Sequence, residues 1–245
     1  MTKKVRRLTF LAVIALMASS CSVYHPQAVD IPLINHAGDA RIDASAALSY
    51  WLIPDVATIN ATASYGFNDW LTGQVHANFG GDNYYGQIAP GFYIPLGARS
   101  VFETYVGIGY GGGWRDNVDH ENSDNAVSNY SFSGHYLLPF VQGNIGWHDL
   151  TALHIDLGVG MKIGGFKPDF DTYDVDGNGD EVSGSRQSYT KNNLLLEPQA
   201  VLRLGGEHMK LSFRVGFAWL NDLSGNGNKF IYDPITGSLG LTFFL

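Results

Sequence analysis

The sequence predicts an all-β fold: a single antiparallel up-and-down transmembrane β-barrel of about ten strands, with eight as the alternative count. Three observations predict it. Residues 153–163 alternate six apolar residues with His, Asp, Gly, Gly and Lys, and this period of two indicates a strand with one apolar and one polar face. Eleven residues is about the length at which a tilted strand crosses a bilayer. The same alternation recurs along most of the 245 residues, and no apolar run after the N-terminus is long enough for a spanning helix.

The N-terminus predicts an export signal. Four basic residues within positions 3–7 precede the apolar residues 8–17, and small residues then lead to Cys21, the single cysteine. This order is typical of a lipoprotein signal peptide over residues 1–20, with a lipid attached to Cys21; ordinary signal cleavage is the alternative. Residues 21–38 contain Pro26 and Pro32 and do not alternate, which predicts a lipid-anchored periplasmic linker. The barrel is then expected over residues 39–245.

The linker carries a resemblance to a known family. Cys21-Ser22 is followed by Tyr24 and Pro26, then by Ile-Pro-Leu at 31–33 and Gly-Asp at 38–39. This arrangement resembles small outer-membrane β-barrel lipoproteins of Bacteroidota, whose barrels are similar in architecture to OmpX, OmpA or OmpW. The resemblance implies a bacterial outer-membrane location and assembly by the barrel-assembly machinery, and it implies no activity. In that phylum, surface export follows acidic residues directly after the lipidated cysteine. Residues 22–24 are Ser, Val and Tyr, so the lipid is expected in the periplasmic leaflet.

Ten segments show the strand pattern in order along the chain. Pro90 counts against the fourth, because an interior proline removes a ladder hydrogen bond, and the sixth is the least regular. The last ends with apolar residues in phase, similar to the terminal signal read by the barrel-assembly machinery. The predicted strands are residues 41–49, 57–67, 71–79, 84–93, 101–110, a segment within 130–146, 153–163, 194–204, 209–219 and 235–245.

The connections predict the orientation of the barrel. Connections 67–69, 94–99, 147–150 and 205–207 are short, whereas three others are long and polar. Short turns at one end and long loops at the other are typical of outer-membrane barrels, and an even strand count leaves both termini on the short-turn side. The short turns are therefore expected in the periplasm and the long loops outside the cell. The long loops are residues 111–129, 165–192 and 221–234.

The apolar faces are expected to meet lipid. Aromatic residues gather near the strand ends, as in the two interfacial girdles of membrane proteins. The polar faces carry a near-balanced set of charges, which suits a lumen of paired charges. A soluble, lipid-tethered barrel that buries its apolar face around an apolar ligand is the alternative. The expected lumen network consists of Arg41, Asp43, Glu103, His154, Asp156, Lys162, Glu197, Arg203, Lys210 and Arg214.

One loop resembles the start of a calcium site. Asp174, Asp176, Asn178 and Asp180 place oxygen side chains at every second position, and Gly179 stands at the sixth. The twelfth position is Ser185 instead of the bidentate Glu that such loops carry. A solvated acidic loop is the alternative. No other cofactor is expected.

Charge and motif content limit the function. Without the signal peptide, 11 Lys and Arg stand against 23 Asp and Glu, a formal charge of −12, which argues against binding nucleic acid. His154 and Asp156 lack a nucleophile motif beside them, so an enzyme is not expected. The sequence predicts a structural or surface-interaction protein whose acidic loops meet outer-membrane lipid, lipopolysaccharide or an unknown ligand. A small solute channel, a carrier of an apolar ligand and a lipid-modifying enzyme are the alternatives.

Overall fold

The chain folds as a closed antiparallel up-and-down barrel of ten strands, as the sequence predicts. The computed structural model describes residues 30–49, 57–80, 82–121, 127–151, 154–176, 178, 180–222 and 235–245. Two of the strand segments do not add to the count of ten. Strand β8 has three residues and pairs with β7 beyond the end of the β7–β9 ladder. Strand β11 continues β10 after Ala218, and both pair with β9. The segments are β1 Ala40–Ser49, β2 Ala57–Gly66, β3 Leu71–Phe79, β4 Asn83–Pro95, β5 Ser100–Glu121, β6 Val127–Trp147, β7 Asp156–Val175, β8 Gln187–Tyr189, β9 Asn193–Gly205, β10 Met209–Phe217, β11 Trp219–Asp222 and β12 Ile235–Phe244.

The first and last strands close the barrel. Each strand pairs with the next barrel strand in sequence, and β1 pairs antiparallel with β12 in the register Arg41↔Phe244 to Ser49↔Thr236. Strand β7 pairs with β9 directly, so that Asp156 lies opposite Arg203 and Lys162 lies opposite Glu197. Along the closed part of the barrel each described strand therefore has two neighbours and no open edge. The residues of β5 after Trp114 extend beyond this part and pair only with β6.

The alternating pattern separates two environments. Outward side chains of β7 such as Val159 and Ile163 are each 49% exposed, whereas Lys162 between them is fully buried. Such an arrangement is that of a membrane barrel, because a soluble barrel would turn its apolar face inward. Outward aromatic residues lie near the short turns at Trp70 and Phe92, whose rings stack at 5.5 Å. The alternative of a soluble barrel around an apolar ligand therefore does not fit the structure. No described residue belongs to a helix long and apolar enough to span a membrane.

The long-loop end differs from the prediction. Residues 111–121 and 127–129 belong to β5 and β6, and residues 165–175 belong to β7, so much of the two predicted loops is strand. The β5–β6 ladder continues past a bulge between Arg115 and Val118 to the pair Glu121↔Val127. The cross-strand pairing thus continues into segments whose Gly and polar content suggests loop when each is read alone. Residues 223–234 of the third predicted loop lie outside the described residues.

Irregular strand patterns have simple causes. In β6, Leu138 and Phe140 face inward and Val141 faces outward, so both faces are apolar and alternation disappears. Pro90 lies within β4, and the β4–β5 register is the same before it at Ile88↔Ile108 and after it at Gly91↔Tyr105. The proline therefore interrupts the ladder locally and leaves the register unchanged.

Candidate functional site

The candidate site is the half of the lumen nearest the short turns. Among the described residues, the buried charged side chains are five basic and five acidic. Nine of them come from the strands; the tenth is Asp30, which precedes β1. The strand residues are Arg41, Asp43, Glu103, Asp156, Lys162, Glu197, Arg203, Lys210 and Arg214, which we call the lumen network.

Residues 30–34, the inserted segment, enter the lumen instead of remaining outside it. Asp30, Ile31 and Ile34 are each no more than 2% exposed. The segment forms no strand, consistent with its proline and its lack of alternation, but it is buried among the inward side chains of several strands. Only a part of the predicted linker can therefore extend away from the barrel.

The inserted segment is held by an ion pair at its first residue. Arg41 Nη2 donates to Asp30 Oδ1, and Ser64 Oγ donates to Asp30 Oδ2 at 3.2 Å. Arg214 Nη2 lies 3.9 Å from Asp30 Oδ1 and pairs more closely with Asp43, whose Oδ2 also accepts from Thr242 at 2.6 Å. With Asp30, the buried acids among the described residues equal the buried bases in number.

The main chain of the segment is bound by side chains of the wall. Ile31 O accepts from Arg41 Nη1 at 2.7 Å and from Arg203 Nη2 at 2.5 Å. Asp30 O accepts from Gln142 Nε2 at 2.6 Å and from Asn144 Nδ2 at 3.3 Å. These contacts satisfy carbonyl groups that lie outside the strand ladders, as a buried non-strand segment requires.

Glu103 connects the segment to the network. Its Oε1 accepts the backbone N–H of Ile34 at 2.8 Å and the hydroxyl of Tyr105 at 3.3 Å, and its Oε2 accepts from Asn144 at 3.1 Å. Because each oxygen of this buried carboxylate accepts a hydrogen bond, Glu103 serves as a fixed acceptor for the entering chain.

A second ion pair lies deeper in the lumen. Lys162 Nζ lies 3.7 Å from Glu197 Oε2 and donates to Gln87 Oε1 at 2.9 Å. The ammonium also lies 4.7 Å from the centroid of the Phe140 ring. This cation therefore marks the level at which the polar half of the lumen meets an aromatic half.

The half of the lumen nearest the long loops is filled with aromatic and aliphatic side chains. Tyr85 and Tyr136 stack with ring centroids 6.0 Å apart, and Tyr136 also contacts Phe166 at 4.8 Å. The sequence predicts a lumen of paired charges, and this apolar filling of one half differs from that prediction. The cluster, which we call the aromatic layer, consists of Tyr85, Ala89, Tyr105, Phe132, Tyr136, Leu138, Phe140, Phe166, Phe170, Leu195, Ala218 and Leu220.

His154 does not lie on the lumen face where the sequence pattern places it. Strand β7 begins at Asp156, and His154 has a φ of 49° in the turn before it. Its Nδ1 lies 3.1 Å from Asp149 Oδ1, which also accepts from Lys210 Nζ at 3.1 Å. The alternation in the sequence begins at residue 153, three residues before the strand itself, and the ends of an element are the part that a sequence pattern predicts least well.

This turn extends the network to the short-turn mouth of the barrel. Lys210 Nζ donates to Asp156 Oδ1 at 2.6 Å, and the backbone N–H of Asp149 donates to the same oxygen at 3.1 Å. Burial raises the pKa of Asp149, but the hydrogen bonds from Lys210 and His154 together lower it below its ordinary value. The histidine therefore belongs to a carboxylate–ammonium arrangement in the turn, and its ring nitrogen contacts Asp149 rather than forming a catalytic pair with Asp156.

The acidic loop forms a turn stabilised by one carboxylate. Asp176 Oδ1 accepts the backbone N–H groups of Asn178 at 2.9 Å and Asp180 at 3.0 Å. Within the described residues, no three His, Cys, Asp or Glu side chains lie close enough together to hold a metal ion. Calcium binding by Asp174, Asp176, Asn178 and Asp180 stays a prediction. Cys21, the predicted lipid attachment site, lies outside the described residues.

Sequence reasoning missed the residues that hold the inserted segment. Gln142 and Asn144, which bind the segment, are buried amides on β6. Gln87, a buried amide on β4 that sequence reasoning also missed, binds Lys162 instead of the segment. Uncharged amides are not expected to belong to a charge network. Asp30 has one detectable signal: it precedes Ile31, Leu33 and Ile34, which are too apolar for a solvated linker.

Comparisons with known proteins support the fold. The sequence matches no protein-family model, and no curated protein matches it. The outer-membrane protease OmpT from Escherichia coli is similar in structure, with a TM-score of 0.56 and 6% identity over 85% of this chain and 94% of that chain. Two other solved structures match less well. The KdgM porin has a TM-score of 0.36 and 8% identity over 83% of this chain and 98% of that chain. The translocator domain of autotransporter NalP from Neisseria meningitidis has a TM-score of 0.42 and 11% identity over 86% of this chain and 90% of that chain. The similarity to OmpT supports the fold of an outer-membrane β-barrel, and at 6% identity it supports the fold alone, because a fold does not determine an activity.

Proposed function

We propose that this protein is a sealed outer-membrane β-barrel lipoprotein, anchored by a lipid on Cys21 at the periplasmic side, that acts through its long-loop end as a surface-interaction protein. The observation that carries this proposal is the filling of the lumen at two levels. The inserted segment and the lumen network occupy one half, and the aromatic layer occupies the other. A barrel whose interior is filled by side chains leaves its exposed loops as the place for recognition.

Planar-bilayer conductance tests the sealed lumen. Purified protein inserted into a lipid bilayer is expected to give no discrete current steps, whereas a porin inserted in the same membrane gives them. The inserted segment and Lys162 lie across the axis that an ion would follow. Discrete steps from the unaltered protein would replace the proposal with a small solute channel.

The long-loop end offers an acidic surface stiffened by one basic residue. Arg186 Nη2 donates to Glu181 Oε2 at 2.6 Å, and Arg186 Nη1 donates to Asp171 Oδ2 at 3.0 Å. The guanidinium also stacks over Tyr173 at 4.9 Å. This arrangement, which we call the Arg186 clasp, orders the chain beside the predicted calcium loop. We expect the other acids of that loop to meet anionic lipopolysaccharide through bridging divalent cations, because hard cations prefer carboxylate oxygens.

Fluorescent lipopolysaccharide added to the barrel in phosphatidylcholine nanodiscs tests this partner. Binding is expected to require Ca²⁺ or Mg²⁺, to be reversed by a chelator, and to weaken in a variant with Asp174→Asn, Asp176→Asn and Asp180→Asn. The exposed Ser183→Ala substitution in the same loop serves as a matched control. Binding that is indifferent to chelator and to the triple variant would contradict cation bridging.

A further inference from the structure

At the short-turn end of the barrel, side chains of the wall bind residues 30–34 in the way that a peptide-binding site binds its ligand. We propose that the side chains around residues 30–34, which we call the seat, select a non-strand peptide with an acidic residue followed by apolar residues, and that residues 30–34 are a detachable ligand carried on the same chain. The seat is formed by Arg41, Arg203, Arg214, Glu103, Gln142 and Asn144.

The first argument is the way in which the segment is recognised. Its carbonyl groups at Asp30 and Ile31 and its N–H at Ile34 are bound by side chains of the wall rather than by a strand ladder. Side-chain donors and acceptors that converge on the main chain of a non-strand segment are one way in which a protein binds a peptide ligand. Because the segment contributes no ladder hydrogen bond among the described residues, its departure leaves the pairing of the ten strands intact.

The second argument is charge. Without Asp30, the described strands supply five buried bases and four buried acids. The excess positive charge lies at Arg41, Arg203 and Arg214, and among the described residues Arg41 Nε and Arg203 Nε and Nη1 have no hydrogen-bond partner. Such a vacated seat would therefore attract a carboxylate, and a neutral residue at the first position would leave buried guanidinium groups uncompensated.

The third argument is shape. At the inward positions Gly146 and Gly158, a Cβ atom would overlap the side chains of Leu33 and Ile31 respectively; at Gly158 that atom would lie 2.8 Å from Ile31 Cγ2. The wall is thus hollowed where the apolar residues of the segment lie. A cavity of about 250 Å³ beside Pro32 and Leu33 opens the other side of the segment to the mouth.

The test separates the segment from the folded barrel and asks whether it returns. A protease recognition sequence replaces residues 35–37, where the chain is partly or fully exposed, and the protein is cleaved after folding. The segment is removed in high salt, and a fluorescent peptide of residues 29–36 is titrated by anisotropy. We expect saturable binding, at least about thirtyfold weaker for the Asp30→Asn peptide, because one partner of a buried charge pair is lost. The His36→Ala peptide is the matched control and should bind unchanged, since the His36 side chain is 75% exposed.

Two results would overturn the proposal: a cleaved segment that leaves only when the barrel unfolds, or Asp30→Asn and unaltered peptides that bind equally. If the recognition sequence prevents folding, a chain beginning at Gly38 can be refolded in detergent with peptide added. The folded yield should then rise with the unaltered peptide and not with the Asp30→Asn peptide, and an equal yield without any peptide would also overturn it. None of these readouts depends on lipopolysaccharide or conductance, so a failure here is distinguishable from a failure of the proposed function.

Discussion

Replacing Met161 with Arg is expected to destabilise the barrel strongly, because this residue faces the middle of the apolar band. Met161 is outward on β7, 41% exposed, and pairs laterally with Gly143 and Pro198. It lies four residues from Leu157 and six from Lys167, the first outward charge beyond it. At about 3.3 Å per residue and a tilt of about 40°, four residues place it roughly 10 Å from the short-turn boundary of a band about 25 Å tall.

The magnitude follows from that depth. An arginine on the lipid face near the midplane of a membrane barrel costs about 2–4 kcal/mol, which changes the folding equilibrium constant by about thirtyfold to a thousandfold. Neighbouring outward residues on β7 are apolar, so the guanidinium has no carboxylate within its own strand's band. The free energy of unfolding in phosphatidylcholine bilayers, measured by reversible guanidinium titration, is therefore expected to fall by this amount.

Val182→Arg is the matched control. Val182 is 42% exposed, nearly the same as Met161, but it lies in the loop after β7 beside the Arg186 clasp. Its substitution is expected to change the free energy of unfolding by no more than about 0.5 kcal/mol, as for most surface changes. Equal effects of Met161→Arg and Val182→Arg would refute the reasoning, because they would mean that the outward face of β7 meets water.

Three further predictions concern the lumen and the loops. Lys162→Met and Glu197→Gln should each lower the free energy of unfolding by about 3–5 kcal/mol, because each leaves a buried partner unpaired. The double variant should lose less than the sum of the two, and guanidinium titrations in bilayers measure this double-mutant cycle. Gly158→Ala should cost about 1–3 kcal/mol in the same assay by overpacking the lumen. The hydrogen bond from Arg186 lowers the pKa of Glu181 below its ordinary value. The Arg186 clasp should therefore be intact at pH values above that ordinary pKa and be lost as the pH falls through the lowered pKa. Limited proteolysis of the loop at a series of pH values measures this loss.

Each of these has an outcome that contradicts it. Additive losses at Lys162 and Glu197 would mean that the two side chains do not interact. An undiminished stability of Gly158→Ala would mean that the inserted segment does not press against the wall there. For the loop, Arg186→Gln is the control, and cleavage whose pH dependence is the same in this variant as in the unaltered protein would exclude the clasp.

The barrel is predictable from the sequence because the physical cause of the pattern is local. An outward residue in lipid and an inward residue in a polar lumen alternate strictly, so β1, β2, β3 and β10 are visible without any knowledge of their neighbours. Where the lumen becomes apolar this cause disappears, and β6 loses its pattern although its hydrogen bonding is continuous with β5. The extended ends of β5, β6 and β7 escape prediction for a related reason: they depend on pairing with each other rather than on a burial contrast within one strand.

The sequence predicts most of the charged residues of the candidate site, but it does not predict that the segment carrying Asp30 enters the lumen. Most of the lumen network follows from the polar face of each strand, but Asp30 reaches it through a non-strand segment that no period describes. A low-dielectric interior penalises an unpaired charge heavily, so a lumen with five bases and four acids on its described strands requires a further anion. That requirement can be stated from the sequence, since the excess is visible in the polar faces. Asp30 is the acid before the first strand that is followed by Ile31, Leu33 and Ile34, and burial of Ile31 and Ile34 beside it offsets the cost of ordering the segment. A surplus of one charge on the inward faces of a barrel is therefore a reason to search the flanking chain for the residue that neutralises it.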